Sequence, residues 1–277
     1  MPEHDHKKLV KKKDEHPFHK KVMIPVMSIE GKPSEHEIPV PRWFSDVGFR
    51  PDMIKRAVVA IQADRRQRYG VDPMAGMKHS VYWSGKGQGV ARTPRLKDSM
   101  TGAQAPNTVG GRRAHPPKAE HDFTLKINRK ELKFAKLSAM RAVADPGIVH
   151  ARGHKFSEHT FVPIVVEDKI EEVKKAKELV PILKSLGVYA DIIRAEKGTH
   201  VRAGRGKSRG RRYRTPNSIL FIVKGDDALT GARNLVGADV RQVAQVNVED
   251  LAPGGHPGRL VIFSRGAFEE VAKWSIK

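Results

Sequence analysis

The chain contains no cysteine, which excludes a disulfide scaffold, thiolate zinc sites, iron–sulfur clusters and thiol catalysis. Long apolar runs are also missing. The longest, Ile219 to Val223 and Phe161 to Val166, reach five or six residues, against about 20 needed to span a bilayer. No apolar h-region follows the first residues, so no secretory signal is read and a soluble, intracellular protein is expected. Aromatics are scarce at 6% and apolar residues make up 39% of 277 positions. That share is low but sufficient for one sizeable core, and the length allows one or two domains. Negative charge is in deficit: 31 Asp and Glu face 52 Lys and Arg, a net charge of +21. Such an imbalance predicts a polyanionic partner.

The excess is concentrated. Residues 1–21, 70–118 and 197–214 carry +3, +6 and +8, and the other 189 residues only +4. The expected plan is a near-neutral globular body over 22–69 and 119–277, interrupted by an extended loop at 70–118. A basic His/Lys-rich tail precedes it, and an Arg/Gly loop at 197–214 lies within it. Segments of a single sign imply a partner of the opposite sign. Residues 70–118 hold eight Gly and five Pro, and their apolar residues keep neither helical nor strand period. Such a loop cannot bury enough apolar surface to order itself, so its order is expected to come from a partner.

The body reads as alternating strands and helices. Lys21 to Ile29 suits a first strand, with Pro25 suggesting an edge position or an irregularity. A helix opens at Pro51 with Ile54, Ala57, Val58 and Ile61 on one face and stops before Gly70. Asn128 with Glu131 three residues on reads as a capping box. Its helix buries Leu132, Ala135, Ala139, Met140 and Val143, and Asp145-Pro146-Gly147 stops it. Ile164 to Val166 is a strand, followed by a helix from about Asp168 that restarts or kinks near Pro181 and ends at Gly187. Strands follow at Ile219 to Val223, Asp239 to Val243 and Leu260 to Phe263. Helices are expected at Asp227 to Leu235, Asn247 to Leu251 and Gly266 to Trp274. Repeated strand–helix–strand units predict an α/β fold: a mainly parallel, open, Rossmann-like sheet flanked by helices.

No catalytic constellation is assembled. Gly206-Lys207-Ser208 copies the end of a P-loop, but the required earlier glycine is Val201 and the context is a run of arginines. Gly85-Lys86-Gly87-Gln88-Gly89 lacks the dinucleotide spacing. His4, His6, His16 and His19 lie in the lysine-rich tail, where an ordered ligand shell is absent, so no metal site is expected. Asp226-Asp227 read as a helix-capping region rather than a catalytic pair, and no serine sits in a nucleophile elbow. A nucleotide-dependent enzyme with basic decoration stays as the alternative from another class.

The basic segments suit RNA. Within 70–118 the candidate contacts are Lys78, Trp83, Lys86, Gln88, Arg92, Arg95, Lys97, Arg112, Arg113, His115 and Lys118. In the second segment they are Arg202, Arg205, Lys207, Arg209, Arg211, Arg212 and Arg214, interleaved with Gly204, Gly206 and Gly210. In the C-terminal loop they are His256 and Arg259. Glycine lets the backbone approach a phosphate, and arginine contacts phosphate bidentately or stacks on bases. Tyr82, Trp83 and Tyr213 offer rings for unpaired bases, and Trp83 serves equally as an anchor at the loop base. DNA binding is the remaining alternative, but no helix-turn-helix, basic zipper or zinc finger is present.

At these residues the chain resembles the large-subunit ribosomal protein L-four family in its archaeal/eukaryotic form. The resemblance rests on Gly85 to Arg92, Val109 to Lys118, Ala144-Asp145-Pro146 with His150 to His154, Val201 to Lys207, and Leu251 to Leu260. These stretches run in order over roughly residues 22–277. It implies a cytoplasmic, non-enzymatic constituent of the large ribosomal subunit that binds large-subunit (23S-type) rRNA early in assembly. The internal loop would thread into rRNA, its tip at Lys86, Gly87, Gln88, Gly89 and Val90 lining the polypeptide exit tunnel. Ribosomal protein L-twenty-two and the nascent peptide would be neighbours there. No membrane and no cofactor is implied, beyond Mg ions bound to the rRNA. Residues 1–21 look like an addition to the usual family start.

Overall fold

The computed structural model describes residues 23–41, 43–157, 159–225 and 228–274. The N-terminal tail and Asp226-Asp227 therefore lie outside the described residues. The chain forms two compact units, one from residues up to Ile61 and from Lys126 onward, the other from Gln62–Leu125.

In the first unit β1 (Met23–Met27) turns through Gly31 into β2 (Pro33–Pro39). α1 (Trp43–Asp46) and α2 (Pro51–Asp64) follow, the latter reaching into the second unit. That unit holds β3 (Val81–Tyr82) and β4 (Arg95–Leu96). The chain returns to the first unit with α3 (Arg129–Val143), α4 (Pro146–Arg152) and β5 (Ile164–Val166). α5 (Ala176–Ser185), α6 (Tyr189–Lys197), β6 (His200–Val201), β7 (Tyr213–Arg214) and β8 (Leu220–Val223) come next. β9 (Asp239–Gln242), α7 (Val248–Leu251), β10 (Val261–Ser264) and α8 (Arg265–Ala272) complete it.

The six-stranded sheet has the order β2-β1-β5-β10-β8-β9. Every pairing is parallel except β1 with β2. This is the expected α/β class. The central strands β5, β8 and β10 are buried along their whole length, because helices cover both faces. Their side chains alternate strictly. Val165, Leu220, Ile222, Val261 and Phe263 join α2, α3, α7 and α8 in one apolar cluster. Ile164, Val166, Phe221, Val223 and Ile262 join α4, α5 and α6 in the other.

Several local readings needed correction. Of the two readings of Pro25, the edge position fails, since β1 lies between β2 and β5, and the irregularity holds, as a register shift between Pro25 and Met27. β2 escaped notice because only Ile38 of its seven residues is buried. Asn128 does precede α3 but makes no side-chain cap, and Glu131 instead reaches Arg56 at 3.5 Å. Asp145 begins α4: its carboxylate accepts from the N–H groups of Gly147 and Ile148 at 2.9 and 3.4 Å, with Pro146 at the first turn. The helix read from Asp168 is a 3-10 turn over Asp168–Glu172 followed by α5, which keeps Pro181 inside. α6 beyond Gly187 had been missed, and the segment to Leu235 forms only a 3-10 turn at Thr230–Asn234.

The Gln62–Leu125 unit is held differently. Val81 pairs with Leu96 and Tyr82 with Arg95, and the Gln104 amide donates to the carbonyls of Met77 and His79 at 2.9 and 2.6 Å. Val71 donates to Pro117, and Tyr69 stacks on Phe123 with Arg66 over that ring at 4.4 Å. Its described core amounts to Ala103 and Pro94.

Phe268 of α8 is fully buried and meets Phe263 of β10 edge-on at 5.4 Å. Phe268→Ala is expected to lower stability by about 3–5 kcal/mol, read from urea unfolding. A loss under about 1 kcal/mol would mean that α8 is not seated on the sheet as described.

Candidate nucleic-acid interface

In the Gln62–Leu125 unit, Lys86, Gln88, Arg92, Lys97, Arg112, Arg113, His115 and Lys118 are all exposed. None of these cations has a carboxylate within salt-bridge distance among the described residues; Lys78, also exposed, pairs with Asp72 at 2.6 Å. Trp83 is 66% exposed, so it presents its ring and does not anchor the loop base. Arg95 is half-buried, and its guanidinium donates to the carbonyls of Met100 and Ala91, bracing its own turn.

The glycines here are of two kinds. Gly76 and Gly111 are needed for crowding: a Cβ would lie 2.6 Å from the Arg112 nitrogen and 2.0 Å from the Ala105 carbonyl oxygen respectively. Gly85, Gly87 and Gly89 have φ of 71°, 78° and 67° with nothing within 4 Å of where a Cβ would stand. The Lys86–Val90 segment is thus bent by its backbone and open on all sides except at Val90, which is half-buried.

The second basic segment is a hairpin of the first unit. β6 pairs with β7 through His200–Arg214 and Val201–Tyr213, and a 3-10 turn over Arg205–Arg209 ends at Gly210 with φ 77°. Arg202 is its internal brace, donating from Nε to the Arg211 carbonyl at 3.1 Å and from its backbone N–H to the Arg212 carbonyl at 2.8 Å. Gly206 admits that brace, since a Cβ would stand 2.8 Å from the Arg202 Cδ. Arg205, Lys207, Arg209, Arg211, Arg212 and Arg214 are exposed with no carboxylate in salt-bridge range among the described residues. Gly206-Lys207-Ser208 lies in this exposed turn, without the strand–helix setting that cradles phosphates.

Topology decides which end of the sheet carries this hairpin. The segments entering β5, β8, β9 and β10 all lie at the N-terminal ends of parallel strands. The Arg/Gly hairpin enters β8, the His154 loop enters β5 and the Pro253–Gly258 turn enters β10. Doubly wound enzymes use the opposite, carboxyl end. Among the described residues, carboxylates of the chain itself take up backbone N–H groups at that end. Glu171 accepts from the backbone N–H groups of Lys224 and Gly225 at 2.8 and 3.3 Å, and Asp168 from that of Gly266 at 2.7 Å.

Beneath the basic end lies a network that sequence reading missed. His154 Nδ1 and Asp191 Oδ2 are 2.9 Å apart, both buried. Arg194 donates from Nε to Asp191 at 2.7 Å and from Nη2 to the Asn217 carbonyl at 2.8 Å, joining α6 to the chain entering β8. Burial pulls the His154 imidazole below its usual range, outweighing the opposing pull of Asp191. Burial pushes the Asp191 carboxyl up, and hydrogen bonds from His154 and Arg194 more than reverse it. The pair is therefore a neutral histidine donating to a carboxylate. The only available signal was an aspartate on the inward face of α6, a helix that had not been read.

Arg259 requires correction as a candidate RNA contact. It is 1% exposed, and its guanidinium donates to the carbonyls of Ser218, Asp250 and Gly237 and pairs with Asp239 at 2.5 Å. Its charge is compensated inside the fold. His256, by contrast, is exposed.

The described architecture is an α/β body bearing exposed basic segments with no carboxylate in salt-bridge range among the described residues. The comparisons give the family. Residues 38–274 match the model of the ribosomal protein L4/L1 family. The large ribosomal subunit protein uL4 of Haloquadratum walsbyi is 51% identical over 81% of this chain and 89% of that protein. That of Methanococcoides burtonii is 49% identical over 84% and 92%, and that of Archaeoglobus fulgidus 44% identical over 90% and 98%. The chain belongs to the ribosomal protein L4/L1 family, a structural class, and the relatives are archaeal. No helix among the described residues is long and apolar enough to cross a membrane.

Two outcomes follow for stability. The folded His154 pKa lies below its unfolded value of about 6.5, so its contribution is complete above that value and is lost as pH falls through the folded pKa. The unfolding midpoint of the parent protein should decline as pH falls below about 6.5, and His154→Gln should flatten that decline. An equal decline in both proteins would remove His154 as the cause. Arg259→Gln leaves Asp239 and the carbonyls short of a donor and should cost about 3–5 kcal/mol in urea unfolding. A folded, stable variant with weakened RNA binding would restore Arg259 as a contact.

Proposed function

We propose that this protein is a structural component of the large ribosomal subunit, in the cytoplasm, that ties separate segments of large-subunit rRNA together during assembly. The observation that carries this is the Arg205–Arg214 hairpin, six exposed cations without a carboxylate in reach, on a chain of this family. A polyanion relieves the repulsion among such charges, and RNA phosphates supply it through bidentate arginine contacts and counterion release. The uL4 name of the relatives supports the subunit. The Gln62–Leu125 unit supplies a second, separate contact through Lys86, Arg92, Lys97, Arg112, Arg113 and Lys118, with Trp83 stacking on an unpaired base. In this reading the open Lys86–Val90 tip lines part of the polypeptide exit tunnel, beside ribosomal protein L-twenty-two and the nascent peptide. The work is architectural, so it needs no cofactor beyond Mg ions held by the rRNA.

The test is salt dependence. With ~8 phosphate contacts on single-strand-like RNA, the slope of log K against log salt is expected near −6. Replacing the six cations of 205–214 with Gln should reduce its magnitude by about 4 and remove one set of RNA crosslinks. Charge removal from 86–97 should remove a different set. Binding that ignores salt, or crosslinks lost together by either change, would overturn the reading.

A further inference from the structure

Arg152, the last residue of α4, stands out among the arginines beneath the basic edge. Its Nη2 donates to the Pro253 carbonyl at 3.0 Å and its Nη1 to the His256 carbonyl. Both bonds go to neutral oxygens. Arg194 has Asp191 and Arg259 has Asp239, but no carboxylate stands in salt-bridge range of Arg152 among the described residues. The side chain is half-buried, so its charge is partly desolvated without compensation, an arrangement that favours an anion. Burial, then the charges of Arg259 and Arg194, lower its pKa to about 10.

The turn that frames it packs closely against α4. Gly258, with φ 90°, passes so close to α4 that a Cβ would lie 2.8 Å from the Ile148 side chain. Gly254 and Gly255 also take positive φ, 72° and 82°, and His256 is exposed beside the guanidinium. Two of its donors are engaged by carbonyls, which orients the guanidinium plane, and its other N–H groups have no acceptor among the described residues. The turn lies at the same sheet end as the Arg/Gly hairpin, entering β10 where the hairpin enters β8.

We propose that Arg152, framed by the Pro253–Gly258 turn, is a seat for a phosphodiester of RNA, separate from the two basic segments. This rests on the RNA-binding reading above. It makes the helix end and the turn a third contact, preformed by the fold.

The test uses the full chain and an archaeal large-subunit rRNA transcript. Arg152→Gln, with a thermal midpoint near the parent's, is expected to weaken binding roughly tenfold, and to reduce the magnitude of the salt slope by about 0.7–0.9. Arg152→Lys should keep the slope and most of the affinity. An unchanged slope and affinity in folded Arg152→Gln overturns the proposal. So does a folded Arg152→Lys as weak as Arg152→Gln, because the carbonyl bonds would then be the cause. Should Arg152→Gln fail to fold, dicarbonyl modification of arginines in the parent decides: Arg152 is protected by the transcript, or the seat is wrong. Inorganic phosphate at matched ionic strength should give no such protection, and equal protection would assign the seat to a free anion. A parent protein that binds no transcript defeats the broader reading. A parent that binds, with a 205–214 variant of reduced slope and Arg152→Gln unaltered, defeats this proposal alone.

Discussion

Like charges crowded together need either an opposite charge or distance, and the arginines of this molecule are sorted by which of these they receive. Arg259 and Arg194 are compensated within the fold by Asp239 and Asp191. In the Arg205–Arg214 hairpin no acid is present at all, so its six exposed cations repel one another without internal compensation. Backbone pairing of β6 with β7 and the Arg202 brace keep the hairpin closed against that repulsion. In the proposed function, RNA phosphates relieve that repulsion, and the gain adds to counterion release.

The sheet explains why both populations can exist in one unit. Buried strands with helices on both faces leave only the two strand ends for polar business. At the carboxyl end, Glu171 and Asp168 cover backbone N–H groups that a nucleotide phosphate would otherwise use. At the amino end the arriving segments are long, and they carry the cations. Arg194 and Arg259 lie under that end and tie the arriving segments together, through Asn217, Ser218, Gly237 and Asp250. Internal arginines thus build the platform on which external arginines stand. A charge count treats both alike.

That is why the fold was more legible in the sequence than the site. Runs such as Ile164 to Val166 and Ile219 to Val223 are apolar on every residue, which only strands buried on both faces require, and the parallel order followed from their spacing. The misreadings came where one residue type serves two ends. Asp145-Pro146-Gly147 ends one helix and caps the next, and Pro181 sits inside α5 rather than at a break. In the site, charge and glycine content marked out the segment that the structure folds as an exposed hairpin. They could not separate Arg202 and Arg259, whose guanidiniums face inward onto carbonyls, from Arg209 or Arg212, which face outward. That distinction depends on where carbonyls 9 to 41 residues away come to lie. Nothing local encodes it.

Glycine carries the same ambiguity. Gly258, Gly111 and Gly206 are small because the chain's own atoms occupy the space a Cβ would take. Gly85, Gly87, Gly89 and Gly110 have empty surroundings and are distinguished only by φ between 67° and 78°. For the first group, size and the protein's own packing are a complete account. For the second, the conformation is bent at every other residue although no internal contact rewards the bend, and Lys86 and Gln88 are left exposed between the bends. Such a curvature fits the proposed role of the tip against a surface outside the chain. The open glycines and the acid-free arginines therefore lead to the same conclusion by independent physics, one from shape and one from charge.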